Sequence, residues 1–557
     1  MTDAAIRGAS ARVVLRGGTI VDASGERRAD VVIEGACIVA VGEAASQAGD
    51  TVVDCTGRLV MPGFIDAHSH VDGLLHDESV QRSLLRQGVT SVITGQDGVS
   101  YAPGDGAYAS EYFAAVNGPH PTYSGNGVAG YLAAADGTSR VNAAYLVPAG
   151  TVRFEVCGRA QGPADDEHLE AMSALVREGM RDGAVGLSTG LDYVPGIFQG
   201  IDEIAALCAP VAAAGAVYVS HMRGGYEANS AAGIDEIAAI ARGAGALAGA
   251  ELRVHVSHFH AEADILLAQL DELAASGVDA TFDAYPYIRG CSLMSMPLLP
   301  PELSAQPVDD VLLALSDPAE RDRLRRDWFP RVARNPSLGP DWPRMISLSH
   351  LSAPELSWAH GLTLAQAAER AGVDVIDFVL DTLLACRLRA NVIMAVRYDR
   401  PVAELARIFA HPGHVGGSDG IFIGAHPHPR ARGAFARFLR EFVRESATWS
   451  WSDAVQHLSA APAARFGLGR RGAIEPGSVA DVIVVDPDAV ADAATYEQPL
   501  RDSVGIDDVF VAGIQVLSAG ELVGAASDLD TPSLELPGRG LRRAEPDHHP
   551  STERSIT

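Results

Sequence analysis

Two histidines stand two residues apart in PGFIDAHSH, at the end of the apolar run LVMPGFID. In an extended strand, residues i and i+2 face the same way, so His68 and His70 project together and offer two imidazole nitrogens from one rigid element. Such a pair is half of a site for zinc or a similar ion. Other polar residues close later apolar runs: His221 ends AVYVSH, His258 and His260 follow in RVHVSHFH, and Asp419 lies in the glycine-rich turn HVGGSDG. By the period of two, His258 and His260 share a face with Val254 and Val256, and His255 is expected to pack toward a helical layer. Alone, His221 reads equally as a core or capping histidine, and Asp419 as a turn residue. Imidazoles and a carboxylate brought together would serve metal-assisted attack of water, with the carboxylate moving the proton.

Bringing them together requires strand ends that converge. Between residues 62 and 465, short apolar runs such as AAYLVPA, AVYVSH and VDATFDAYPY alternate with Ala-rich helical stretches, the texture of parallel β/α units. About eight such strands favour an α/β fold of the TIM-like (β/α)8 barrel type, whose chemistry sits at the carboxyl ends of its strands. Residues 7–61 and 466–525 alternate with a period of two between Gly and Asp turns, and are expected to pair into one small β domain built from both chain ends. Residues 288–341, rich in Pro, Asp and Arg, interrupt the alternation directly after DAYPY; they read as a lid over the site, or as a peripheral decoration or oligomer contact. Residues 526–557 carry few apolar side chains and read as a disordered tail, with His548 and His549 as bystanders.

Composition narrows the chemistry. A formal net charge of -28 argues against nucleic acid or an anionic membrane as partner. No apolar run reaches the roughly 18 residues a bilayer span needs, and MTDAAIRGAS lacks a secretory pattern, so a cytoplasmic location is expected. The six cysteines show no CxxC spacing. The chain has no lysine, which excludes Schiff-base chemistry and a carboxylated lysine bridging two metals. With no GxSxG elbow, a covalent-serine route has no support.

In order along the chain, MPGFIDAHSH, GVTSVITGQDGVS, GAVGLSTGL with YVPG, YVSHMR, SHFH, DAYPY, GGSDG with HPHPR, and AARFGLGRRGAIEPGSVADVIVVDP resemble the D-aminoacylase (N-acyl-D-amino-acid deacylase) family of the amidohydrolase superfamily. The resemblance runs from about Val13 to about Gly513 and implies a (β/α) barrel with a small β domain and zinc-dependent hydrolysis of the amide joining an acyl group to a D-amino acid. Carried over by position, it makes His68 and His70 one pair of metal ligands, His221 and His258 another, and Asp419 the general base and a further ligand. One or two zinc ions, or another divalent metal, are implied. Tyr285 and Arg430 match the family's carboxylate-binding tyrosine and arginine, an arginine fork being suited to a carboxylate; a surface pair is the plainer reading of Arg430.

The chain departs from the family in three places. GQDGVS stands where GNCGVS is usual, so Asp97 takes a ligand cysteine's position and harder metals become more competitive. His260 stands where the family often has a lysine that helps bind the substrate carboxylate; an imidazole is a weaker, pH-dependent substitute. Ala149 in PAGTVR replaces a histidine. Asp66 is expected to orient rather than ligate, while the roles of His426 and His428 stay open. The expected substrate is a small carboxylate-bearing amide. Hydrolysis of a cyclic amide or dipeptide, a noncatalytic role and assembly into homo-oligomers remain open alternatives.

Overall fold

The computed structural model describes residues 12–45, 47–224, 229–397, 400–524 and 535–543. Eight parallel strands form the barrel: β1 (Phe64–Asp66), β2 (Val89–Thr94), β3 (Asn142–Pro148), β4 (Gly186–Gly190), β5 (Val217–His221), β6 (Arg253–Val256), β7 (Ala280–Ala284) and β8 (His414–Gly416). β2 to β5 are buried along their whole length, which is why the sequence there is continuously apolar or small rather than alternating. The ring closes between β8 and β1, where the Ala67 amide donates to the Gly416 carbonyl (3.0 Å) and Ser69 bridges Gly420 in parallel. That bridge keeps residues 67–70 extended beyond β1.

Helices between the strands cover the ring. In Asp166–Arg181 the N-cap Asp165 accepts from the His168 amide, and Met172, Val176 and Gly179 face inward. Inside the barrel, Ile65, Ile93, Leu146, Val219 and Val415 form a core with Phe466 and Leu468.

Both chain ends build the small β domain. Strand 59–62 pairs antiparallel with 482–485 and parallel with 19–22, inside a seven-stranded sheet; a four-stranded sheet from 13–54 adds to it. Leu15, Ile33, Val60, Val482 and Phe510 share its core.

Two sequence expectations need correcting here. The segment after β7 does not end at Asp341. It runs on through strands 346–351 and 390–394, which pair antiparallel with each other and, through 390–394, with 290–293. It also carries its own core of Leu298, Phe329, Trp342, Phe378 and Leu383. Part of the supposed tail is ordered: Gly540–Leu541 pairs with β3 and Leu541 is buried, because nine residues with one apolar anchor can dock as an added strand. Residues 526–534 and 544–557, including His548 and His549, lie outside the described residues.

Candidate metal centre

Every histidine in the expected ligand set reaches one end of the barrel, where Asp97 stands at the middle. Its carboxylate lies 3.6 Å from His68 Nε2 and from His70 Nε2, 3.6 Å from His221 Nδ1 and 3.7 Å from His258 Nε2. Two groups of potential ligands, His68/His70/Asp97 and Asp97/His221/His258, thus share this one carboxylate, each with its donor atoms within 4.8 Å of one another. Donors about 2.1 Å from a tetrahedral ion stand roughly 3.4 Å apart, so the spacing fits. Asp419 Oδ1 adds a further oxygen, 3.3 Å from His70 Nε2 and 3.8 Å from His68 Nε2. His68 Nε2 and Asp97 Oδ1 are buried with no hydrogen-bond partner, a costly state unless a cation lies between them. Nitrogen and carboxylate oxygen suit zinc and harder divalent ions.

Local backbone explains the aim of these groups. Asp97, His258 and Asp419 all have positive φ (56°, 32° and 47°), a region that non-glycine residues occupy at a cost and mostly at functional sites. The Asp97 loop lies so close to the end of β4 that a Cβ on Gly190 would sit 2.0 Å from the Asp97 carbonyl, hence glycine in STGL. Asp72 holds the same loop by accepting from the Gly95 amide (2.9 Å) and the Ser100 hydroxyl.

The phase of β6 differs from the period-two expectation. The strand stops at Val256, and Val254 and Val256 belong to the large hydrophobic core that also takes in helix residues such as Ile237 and Ile240, not to the core of Phe466 and Leu468. His255 therefore points into the barrel, edge-on to Phe466, and the left-handed turn at His258 returns that imidazole to the mouth.

A layer of partners missing from the sequence reading fixes the imidazoles. Asp283, fully buried on β7, lies 3.4 Å from His68 Nδ1 and 3.0 Å from His255 Nε2, and accepts from the His258 amide (2.9 Å). Asn117 donates through Nδ2 to the Val99 carbonyl, so its Oδ1 receives His70 Nδ1–H (3.1 Å) and leaves Nε2 for a metal. Asp192 takes His221 Nε2 (3.3 Å), which turns Nδ1 inward. Asp66 touches no ligand ring; it accepts from the Ser418 and His68 amides and locks the β8 loop to β1. His428 is spent on the Arg430 amide and Tyr496, and His426 borders Gly361, so neither belongs to the two ligand groups.

Burial and charge together set protonation. Burial disfavours a proton on His68, yet Asp283, with Asp97 and Asp419, lifts its pKa to about 9; Asp97 and Asp192 lift that of His221 to about 10 against the same burial. Burial would raise Asp97 and Asp419, but His221 holds the first well below the usual carboxylate range and Arg430 holds the second low. Burial, reinforced by Arg400 and His258, drives His260 well below its ordinary value, and its Nδ1 donates to the His258 carbonyl.

Arg430, which matches the family's carboxylate-binding arginine, lies beside Asp419. It is 0% exposed, its Nη2 is 2.8 Å from Asp419 Oδ2, and its guanidinium lies 4.4 Å from the centre of the Tyr285 ring. Tyr285 itself faces the open cavity, with the His260 ring 4.4 Å away.

Asp283→Asn keeps the shape and removes the charge that faces two histidines. Metal affinity, measured by competition with a chromogenic chelator, is expected to fall about 10- to 100-fold. Unchanged affinity would show that the carboxylate does not orient His68.

The barrel, with four imidazoles and two carboxylates converging at its mouth, places the molecule: the chain belongs to the amidohydrolase family, whose sequence profile matches residues 51–517. Its place there is with the D-aminoacylases. It is 32% identical to the N-acyl-D-glutamate deacylase of Alcaligenes xylosoxydans xylosoxydans across 95% of this chain and 96% of that protein. It is also 32% identical to the D-aminoacylase of the same organism, across 90% and 94%. The crystal structure of N-acyl-D-glutamate deacylase from Bordetella bronchiseptica, complexed with zinc and a phosphonate mimic of the tetrahedral intermediate, matches with a TM-score of 0.77 at 29% identity, covering 96% of this chain and all of that one.

Proposed function

We propose that the protein hydrolyses the amide bond of an N-acyl-D-amino acid, using one or two zinc ions or a similar divalent metal held by His68, His70, Asp97, His221 and His258. The observation that carries this reading is Asp97, a single buried carboxylate shared by two histidine pairs at the mouth of the barrel. A bound divalent ion there supplies Lewis acidity, which acidifies water and polarises a carbonyl.

The chain's own groups do the rest. Asp419 Oδ1 faces the ligand cluster while Arg430 occupies Oδ2, so the base is held ionised and aimed. It accepts the proton as water oxygen bonds to the scissile carbonyl carbon, then delivers it to the amine nitrogen as the carbon–nitrogen bond breaks, giving a carboxylate and a free amino acid. Tyr285 and His260 line the cavity where the amino-acid carboxylate would lie, with Arg430 adding its charge from behind the tyrosine. The cavity, about 540 Å³, accepts a ligand of amino-acid size with an acyl chain. Met296, Trp328, Val332 and Leu338, all from the segment after β7, wall it, which supports the lid reading. Among the described residues no helix is long and apolar enough to cross a membrane.

A panel of N-acyl-D-amino acids, N-acyl-L-amino acids, hydantoins and dipeptides, assayed on metal-loaded protein, tests the reading. The D-configured acyl amino acids should give the highest kcat/KM, by at least about tenfold over their enantiomers, a gap of roughly 1.4 kcal/mol. Preference for a hydantoin or a dipeptide would replace it with the corresponding amidohydrolase.

A further inference from the structure

The cavity that opens onto the ligand cluster changes character from floor to rim. Asp97, His221, His258 and Asp419 make its floor. Above them, Ile197 from the loop after β4 and Met296, Trp328, Met394 and Val396 from the segment between β7 and β8 give it apolar walls. Each of these five side chains is only half-buried, so the protein's own packing leaves apolar surface of the wall uncovered. The stretch 331–338 forms the rim: Arg331 and Arg334 are exposed, whereas Val332 and Leu338, each 4% exposed, turn inward. Size points the same way. At about 30 Å³ for each water-sized group, the cavity of about 540 Å³ holds roughly eighteen. N-acetyl-D-leucine, with about twelve non-hydrogen atoms, leaves room for about six more.

We propose that the apolar walls receive the alkyl chain of the substrate's acyl group, and that the preferred acyl group is a medium chain of about eight carbons rather than acetyl. The inference deepens the deacylase reading and rests on it for the identity of the amide. An amino acid held at its carboxylate and at the amide is fixed at both ends, so its side chain stays near the floor. The acyl chain has a free end and can run outward along the walls to the rim. Each methylene taken fully out of water tightens binding by about fourfold. Such contacts are made equally before and during the reaction, so they lower KM and leave kcat nearly unchanged.

The test uses zinc-loaded full-length protein and non-hydrolysable N-alkanesulfonyl-D-alanines, with binding measured by calorimetry. Lengthening methanesulfonyl to octanesulfonyl should tighten binding at least about thirtyfold, and a further four carbons should add less than about twofold because the cavity is full. Met296→Gln and Ile197→Asn, on different elements, should each reduce the octane-to-methane ratio at least about fivefold. A flat chain-length series overturns the proposal, as does an unchanged ratio in both variants. Lengthening the amino-acid side chain instead, from D-alanine to D-2-aminononanoic acid on the methanesulfonyl probe, should change affinity less than about threefold; a gain matching that of the sulfonyl chain gives the walls to the side chain and also overturns it. Turnover of N-acetyl-D-leucine by wild type keeps the two readings apart. Turnover with a flat sulfonyl series leaves the deacylase standing and removes the acyl pocket; a steep series without turnover of any N-acyl-D-amino acid keeps the alkyl pocket and removes the deacylase.

Discussion

Asp97→Ala is expected to strip the protein of metal and of activity together. The carboxylate belongs to both ligand groups, so its removal leaves each with a bare pair of histidines. Lost Lewis acidity of several kcal/mol corresponds to a fall in kcat/KM of at least about a thousandfold. Bound metal, measured after gel filtration, should drop toward zero at the same time. The variant also places alanine at a φ of 56°, so Asp97→Asn is the companion that suits the backbone while removing the charge. Full metal content with turnover within about tenfold of wild type would remove Asp97 from the centre.

Asp419→Asn should separate proton transfer from metal binding. It keeps the shape beside Arg430 and His70 but cannot accept a proton, so kcat should fall at least about a hundredfold. Metal content should fall less than in Asp97→Ala. Arg430 holds the wild-type carboxyl low, so Asp419 is ionised well into the acid range and loses function only where it becomes protonated; the acidic limb of kcat/KM against pH belongs to it and should vanish in the residual activity. A variant that retains a tenth of wild-type kcat with metal bound would transfer the role to another group, and His260 in the cavity wall is the next to test.

The proposed ligands are legible because each follows an apolar run, where a polar side chain must either reach a barrel mouth or stay buried at a cost. His68 and His70 follow the period of two because the bridge from Ser69 to Gly420 keeps that stretch extended. His255 does not, because the period was carried past Val256, where the strand ends. Asp283 was overlooked beside Tyr285 in DAYPY; its signal was a charge in the middle of an apolar strand of a barrel, a position tolerated only when that charge has partners. Asp192 sits in a turn and Asn117 at the end of the short helix Ala114–Asn117, and the composition of neither carries such a signal. The length of the inserted segment was underestimated because ISLSHL and ANVIM look like barrel strands, and whether a short apolar run pairs parallel or antiparallel is not written in its own residues. The pairing of Arg430 with Asp419 is visible only in three dimensions.

The most direct measurement is the stepwise return of zinc to metal-stripped protein while the release of leucine from N-acetyl-D-leucine and from N-acetyl-L-leucine is followed. Release should be undetectable without metal, rise with the first zinc equivalents, and favour the D-enantiomer at least about tenfold. Hydrolysis that persists at full rate in stripped protein, or zinc that binds stoichiometrically without restoring release from either enantiomer, would contradict metal-dependent deacylation at this centre.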